Sequence, residues 1–216
     1  MNQAKWIDIS QPLDDKLAHW PGDTPFQYVT EYTKEQTGSV NIGKMTTSLH
    51  SGTHVDAPFH FDNSGARILD LDIERFIGKA RVIDGSSYTM LNEEMFSHFD
   101  LDGVERLLIK TSIPNNPIHF PADFPSVTAC GANYLGDKGI KLIGVDVPSV
   151  DHPDSKELSG HHALLKNDIA ILENVMLDSV SDGDYELIAL PLPIREGDGS
   201  PVRAVIRPLL SDEKGE

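Results

Sequence analysis

The sequence predicts an α/β fold: a single mixed β-sheet core with flanking helices. Two observations carry that expectation. Short apolar runs of strand length recur along the chain, and segments with helix-start signals fall between them. Two of the runs, residues 107–109 and 142–145, are continuously apolar rather than alternating. That is the pattern of strands covered on both faces, as in parallel sheets flanked by helices.

The elements follow in order. Residues 6–9 form the first apolar run, and residues 44–49 alternate loosely as a second strand. The N-terminal third therefore reads as β-rich, able to build hairpins around a site. Further strands are expected over 80–83, 106–110, 142–147, 185–190 and 202–206. Asn92 precedes Glu-Glu-Met-Phe as a helix cap. Residues 128–135 run helically toward Gly136 and Gly139, and residues 161–167 form a third helical candidate. The polar tail, residues 211–216, reads as a fraying end. No repeat or low-complexity tract interrupts the chain. At 216 residues it is sized for one domain spanning 1–216.

Composition narrows the class of function. Hydrophobic residues make up 39% and charged residues 24%, ordinary values for a globular protein. The net charge of −16 opposes binding to nucleic acid and to anionic membranes. No stretch approaches the roughly 20 apolar residues of a membrane span. The N-terminal Met1-Asn-Gln-Ala-Lys-Trp6 lacks an apolar signal core. One cysteine, Cys130, cannot form an internal disulfide, and a buried structural role is expected for it. These features point to the cytoplasm.

The chemistry concentrates in His50-Ser-Gly-Thr-His54-Val-Asp56-Ala-Pro58-Phe-His60, where three histidines and a carboxylate fall within eleven residues. Imidazole and carboxylate suit zinc, manganese and cobalt alike. On a helix, His50 and His54 would share a face, but Gly52 and Pro58 disfavour a helix, and the glutamate of the His-Glu-x-x-His pattern is missing. On an extended chain, His50, His54, Asp56 and His60 would share one face, with Gly52 leaving room for an ion. His60 is the candidate for a different task, as a proton shuttle of near-neutral pKa. The alternative is a further ligand. Glu173 follows apolar Ile169-Ala-Ile-Leu172, where an unpaired carboxylate is costly to bury.

This segment resembles the His-x-Gly-Thr-His-x-Asp-x-Pro-x-His-Phe signature of the cyclase-like metal-dependent hydrolases, with Phe61 completing it. The resemblance extends to Trp6-Ile-Asp-Ile-Ser-Gln-Pro-Leu13, Trp20-Pro-Gly-Asp-Thr-Pro25, Gly144-Val-Asp-Val-Pro-Ser-Val-Asp151, Ile171-Leu-Glu-Asn174 and Asp198-Gly-Ser-Pro-Val-Arg203. Trp20 directs it to the bacterial kynurenine formamidase branch of that family. The resemblance implies a dimer or larger homo-oligomer of the swivelling β/α type. It also implies two zinc ions bridged by Asp56 and Glu173, with His50 and His54 on one and His161 on the other. The neighbouring His162 stays open as the alternative to His161. Metal-bound hydroxide would attack the formyl carbon of N-formyl-L-kynurenine, and His60 would act as general acid and base. Trp20 would stack on this small aromatic formamide, with Tyr28, Phe59 and Phe61 as conjectural extensions of the wall. The competing implication is isatin or cyclic-amide hydrolysis, or a small-molecule cyclase, on the same metal centre. Arg203 reads equally as a substrate contact or a structural ion pair.

Overall fold

The computed structural model describes residues 4–209; the tail expected to fray lies outside them. Its strands are β1 (Ile7–Asp8), β2 (Gln27–Tyr32), β3 (Ile42–Thr46), β4 (His54–Asp56), β5 (Ile77–Asp84), β6 (Met90–Leu91), β7 (Arg106–Lys110), β8 (Ser126–Val127), β9 (Leu142–Val145), β10 (Ala170–Glu173), β11 (Gly183–Ile188), β12 (Gly199–Pro201) and β13 (Val205–Pro208). The helices are α1 (Lys34–Thr37), α2 (Glu93–Phe96), α3 (Ala129–Asp137) and α4 (Ser159–Lys166).

Nine strands form one sheet in the order β1-β13-β11-β5-β7-β9-β10-β4-β12. Its centre, β5-β7-β9-β10, is parallel, and both flanks are antiparallel. The continuous apolar runs sit in that parallel centre because both faces are covered. Leu107 and Ile109 of β7 join a core with Met95, Phe96, Leu135 and Leu164 beneath the helices. Leu108, between them, points to the opposite core with Ile9, Val55, Phe76 and Leu187. The two-residue period of a strand thus splits one apolar run between two cores. Truncating Leu108 to Ala would cost about 2–5 kcal/mol, the usual range for a fully buried Leu.

The helix-start signals act as expected. The Asn92 side chain accepts from Met95 N at 2.9 Å, and Thr128 Oγ1 accepts from Gly131 N at 3.1 Å. The strand expected near residues 44–49 exists as β3, paired with β2. However, this hairpin is exposed along its whole length and contributes nothing to the pocket described below. Cys130 also departs from expectation: it is exposed, because position two of α3 points away from the sheet while Gly131, Ala132 and Leu135 pack inward.

Candidate metal centre and substrate pocket

The β4–β10 pairing builds the floor of the site. The two strands run antiparallel with His54 opposite Glu173 and Asp56 opposite Ile171. Opposed residues project to the same face about 5 Å apart. The alternation that places His54 and Asp56 on one side therefore also delivers Glu173. His54 Nε2 lies 3.3 Å from Glu173 Oε2 and 3.4 Å from Asp56 Oδ1. Expecting all of residues 50–60 to be extended was too broad; only β4 is. Gly52 turns the chain at φ +64°, and Pro58–His60 is a single 3-10 turn begun by the proline. Thr53 fixes the first bend, donating to Asn174 O at 2.6 Å and accepting from Gln11 N at 2.8 Å. The bends still bring both outer histidines back. His50 Nδ1 sits 2.8 Å from Asp56 Oδ1, and the His50 and His60 ring centres are 3.9 Å apart.

The fourth buried group comes from the β9–α4–β10 crossover. Asp151 accepts from Gly160 N and His161 N, each at 2.9 Å, and so caps the start of α4. The same carboxylate holds His161 Nδ1 at 2.7 Å. His161 Nε2 then faces Asp56 Oδ2 at 3.3 Å and Glu173 Oε1 at 3.9 Å. Its neighbour His162 is exposed and packs edge-on against Phe61, so of the two it is His161 that reaches the cluster.

The donor set fits a divalent cation. His54 gives Nδ1–H to Gly52 O at 2.9 Å, and His161 gives Nδ1–H to Asp151. In a neutral imidazole the other nitrogen then carries a lone pair. Both lone pairs aim at carboxylate oxygens, which only accept. Acceptors facing acceptors in a buried space need protons or a cation between them. With protons alone, burial pushes His54 and His161 down, yet their carboxylate bonds win and raise both to about 10. Burial, reinforced by the Asp56 charge, pushes Glu173 up. Among the described residues, three three-residue groups are close enough to hold an ion: the more exposed His50-His60-Asp198, and two on the floor, His50-His54-Asp56 and Asp56-His161-Glu173, which share Asp56.

His60 differs from the floor. Its side chain is 35% exposed, and its Nδ1 lies 3.7 Å from Asp198 Oδ2. Burial pushes its pKa below the ordinary value, with Asp56 pulling the other way. It is therefore a neutral imidazole at neutral pH. Asp198 also accepts from His50 Nε2 at 3.2 Å, and that bond holds its carboxyl down to about 2. Gly199 must lack a side chain here, since a Cβ would fall 2.7 Å from His50 Cε1.

The floor opens into a cavity of about 260 Å³. Trp20 lines its mouth and meets Phe120 edge-to-face at 5.3 Å between ring centres. Pro117, Pro121, Ile113 and Leu158 complete the apolar wall. The conjectured wall residues are elsewhere. Tyr28 is on the exposed hairpin, Arg67 covers Phe59, and Phe61 packs behind the site against His161. Arg203 pairs with Asp8 at the surface, which is its structural reading. Sequence reasoning gave no role to Asp151, Asp198 or Phe120. Asp151 and Asp198 lay in motif blocks already singled out, and their carboxylates were the available signal; Phe120 carried none.

Residues 7–152 match the family model described as putative cyclase. The chain is 57% identical to the kynurenine formamidase of Bacillus cereus over 209 residues, covering 97% of this chain and all of that protein. It is 59% identical to the kynurenine formamidase of Bacillus cytotoxicus over the same span and coverage. Among solved structures, it resembles a predicted metal-dependent hydrolase from Bacillus stearothermophilus with a TM-score of 0.79 at 24% identity, over 94% of this chain and 97% of the other. It also resembles an isatin hydrolase bound to the product analogue thioisatinate, with a TM-score of 0.81 at 21% identity, over 96% and 94%. These two share its fold. The chain belongs to the cyclase family. Within it, the full-length relatives place the chain with the bacterial kynurenine formamidases, which are amidohydrolases.

Proposed function

We propose that this enzyme hydrolyses N-formyl-L-kynurenine to L-kynurenine and formate, with zinc in the buried floor and His60 moving the proton. The observation carrying this reading is the pair of lone-pair-bearing Nε2 atoms turned onto two shared carboxylates, at the bottom of an aromatic-walled pocket. The names of the whole-length relatives supply the substrate class. The two floor groups would hold two ions, His50 and His54 on one and His161 on the other, with Asp56 and Glu173 as the carboxylates within reach of both. Zinc bound there would polarise the formyl carbonyl and lower the pKa of water.

The chain's own residues do the rest. Trp20 and Phe120 receive the aryl ring and expel water from one side of the scissile bond. His60, neutral and half-exposed, accepts the proton of the attacking water. As the C–N bond breaks, it returns that proton to the aryl nitrogen, releasing arylamine and formate. Asp198, near His60 Nδ1, leaves Nε2 for the exchange and steadies the imidazolium.

Two coarser expectations join this reading. The exposed β2–β3 hairpin carries Tyr28, Tyr32, Val40, Ile42 and Met45 to solvent. A lone two-stranded hairpin is marginal in water, which supports a homodimer that covers it. The exposed thiol Cys130 suits a reducing cytoplasm. Among the described residues, no helix is long and apolar enough to cross a membrane.

The test is a panel given to zinc-loaded enzyme: N-formyl-L-kynurenine, simpler aryl formamides and isatin. Fastest turnover of the formamides is expected. Opening of isatin with no release of formate from any formamide would replace this reading with cyclic-amide hydrolysis.

A further inference from the structure

One buried acid in the pocket has no part in the floor. Asp146 follows β9 directly, at the carboxyl end of the parallel strands, where open α/β sheets bind their ligands. In the β9–β10 register Gly144 stands beside Leu172. Asp146 is therefore level with Asn174, one strand over from the residue that follows Glu173. It lines the same cavity as Trp20 and His60 yet is only 4% exposed. It appears in none of the groups able to hold a metal.

Its partners do not match its charge. Both carboxylate oxygens accept from one donor, Thr111 N, at 3.1 and 3.0 Å. No lysine, arginine or histidine pairs with it among the described residues. An ionised carboxylate offers about four lone-pair sites, and the amide and side chain of the single neutral residue Thr111 leave some of them unfilled in a buried place. Burial raises its carboxyl to about 7 despite the Thr111 hydrogen bonds, and the Asp178 charge adds to the rise. A positive group arriving from the cavity would relieve that cost.

The rest of the lining favours such a group. Among the described residues, neither lysine nor arginine lines the cavity, and the lining acids outside the floor are Asp23 and Asp146. A pocket built to grip a substrate carboxylate would present a guanidinium or ammonium. This one presents Asp146, and among the described residues its only basic groups beyond the floor and His60 are the imidazoles of His19 and His119.

We propose that Asp146 determines specificity by accepting the α-ammonium of an amino-acid substrate, whose carboxylate stays in solvent. The inference rests on the formamidase reading for its substrate, but it is tested by binding. L-Kynurenine and its des-amino analogue, 4-(2-aminophenyl)-4-oxobutanoate, are titrated calorimetrically into zinc-loaded wild-type protein and Asp146→Asn. Hydrolysis of N-formyl-L-kynurenine is assayed alongside.

The wild type should prefer L-kynurenine by about tenfold to a hundredfold, the worth of a charge-assisted hydrogen bond. Asp146→Asn, which keeps an acceptor for Thr111 N, should collapse that ratio toward one. Damage to the fold alone would weaken both ligands and leave the ratio standing. Equal binding of the two ligands by the wild type overturns the proposal, and so does an unchanged ratio in the variant. A collapsed ratio in a protein that releases no formate would keep the ammonium subsite and remove the hydrolytic reading.

Discussion

The floor of the pocket and its mouth are held by different kinds of structure. On the floor, His54, Asp56 and Glu173 stand on paired strands, and His161 is clamped by the acid that caps its own helix. At the mouth, Trp20 and Phe120 sit on loops and hold one another by a ring contact. The floor is therefore fixed before any ion or substrate arrives, while the mouth can vary without disturbing it. Such a division lets a family keep one reaction centre and change what reaches it.

Substitutions sharpen that contrast. Asp56→Ala removes the carboxylate common to the two donor groups of the floor, so it should have the largest effect. Loss of the metal's several kcal/mol of transition-state stabilisation corresponds to about three orders of magnitude or more in turnover. Metal content measured by atomic emission should fall with it; full occupancy in that variant would refute the shared-ligand assignment. His60→Ala comes next. General acid–base catalysis is worth about 10²–10⁴-fold, and kcat should fall by that much while the metal stays bound. Parallel loss of metal would make His60 a ligand instead.

Trp20→Ala probes the mouth. Aromatic contacts contribute about 0.5–1.5 kcal/mol, so KM should rise up to about tenfold with kcat nearly constant. A kcat loss as large as that of His60→Ala would erase the distinction between floor and mouth.

Acid separates the regions more gently. His60 has a lowered pKa, so it is the neutral base above that value and is lost as pH falls through it. The acid limb of kcat should lie below 6.5, its ordinary pKa. On the floor the sign is reversed: His54 and His161 are raised to about 10 in the ion-free protein, so metal must displace protons. Zinc affinity should therefore climb with pH across the neutral range, with proton release detectable by calorimetry in buffers of different ionisation enthalpy.

The floor was far more legible in the sequence than the mouth, and the reason is physical. Ligand chemistry needs rare side chains at close spacing, so His50, His54, Asp56 and His60 stood out within one segment. The buried parallel strands were legible for a similar reason, since an apolar run such as 107–109 has few other uses. The bends around β4 were harder to read, because Gly52 and Pro58 signal a break but not its direction. Phe120 was invisible as a site residue, and Asp146 lay in the 144–151 block with its carboxylate as the only mark and no role assigned to it. Their roles depend on which loops and strand ends the sheet order brings together, and the crossing from β9 through α4 to β10 sets that order. Trp20, which lines the cavity, was singled out by family resemblance and by its turn-rich loop, since a tryptophan by itself serves a core as readily as a ligand.

The most direct test of the central claim is hydrolysis of N-formyl-L-kynurenine by protein stripped with a chelator, before and after zinc is returned. The buried acceptor-facing floor predicts no turnover in the stripped protein and recovery in proportion to zinc bound, up to two ions per chain. Full activity in protein shown to be metal-free would contradict it.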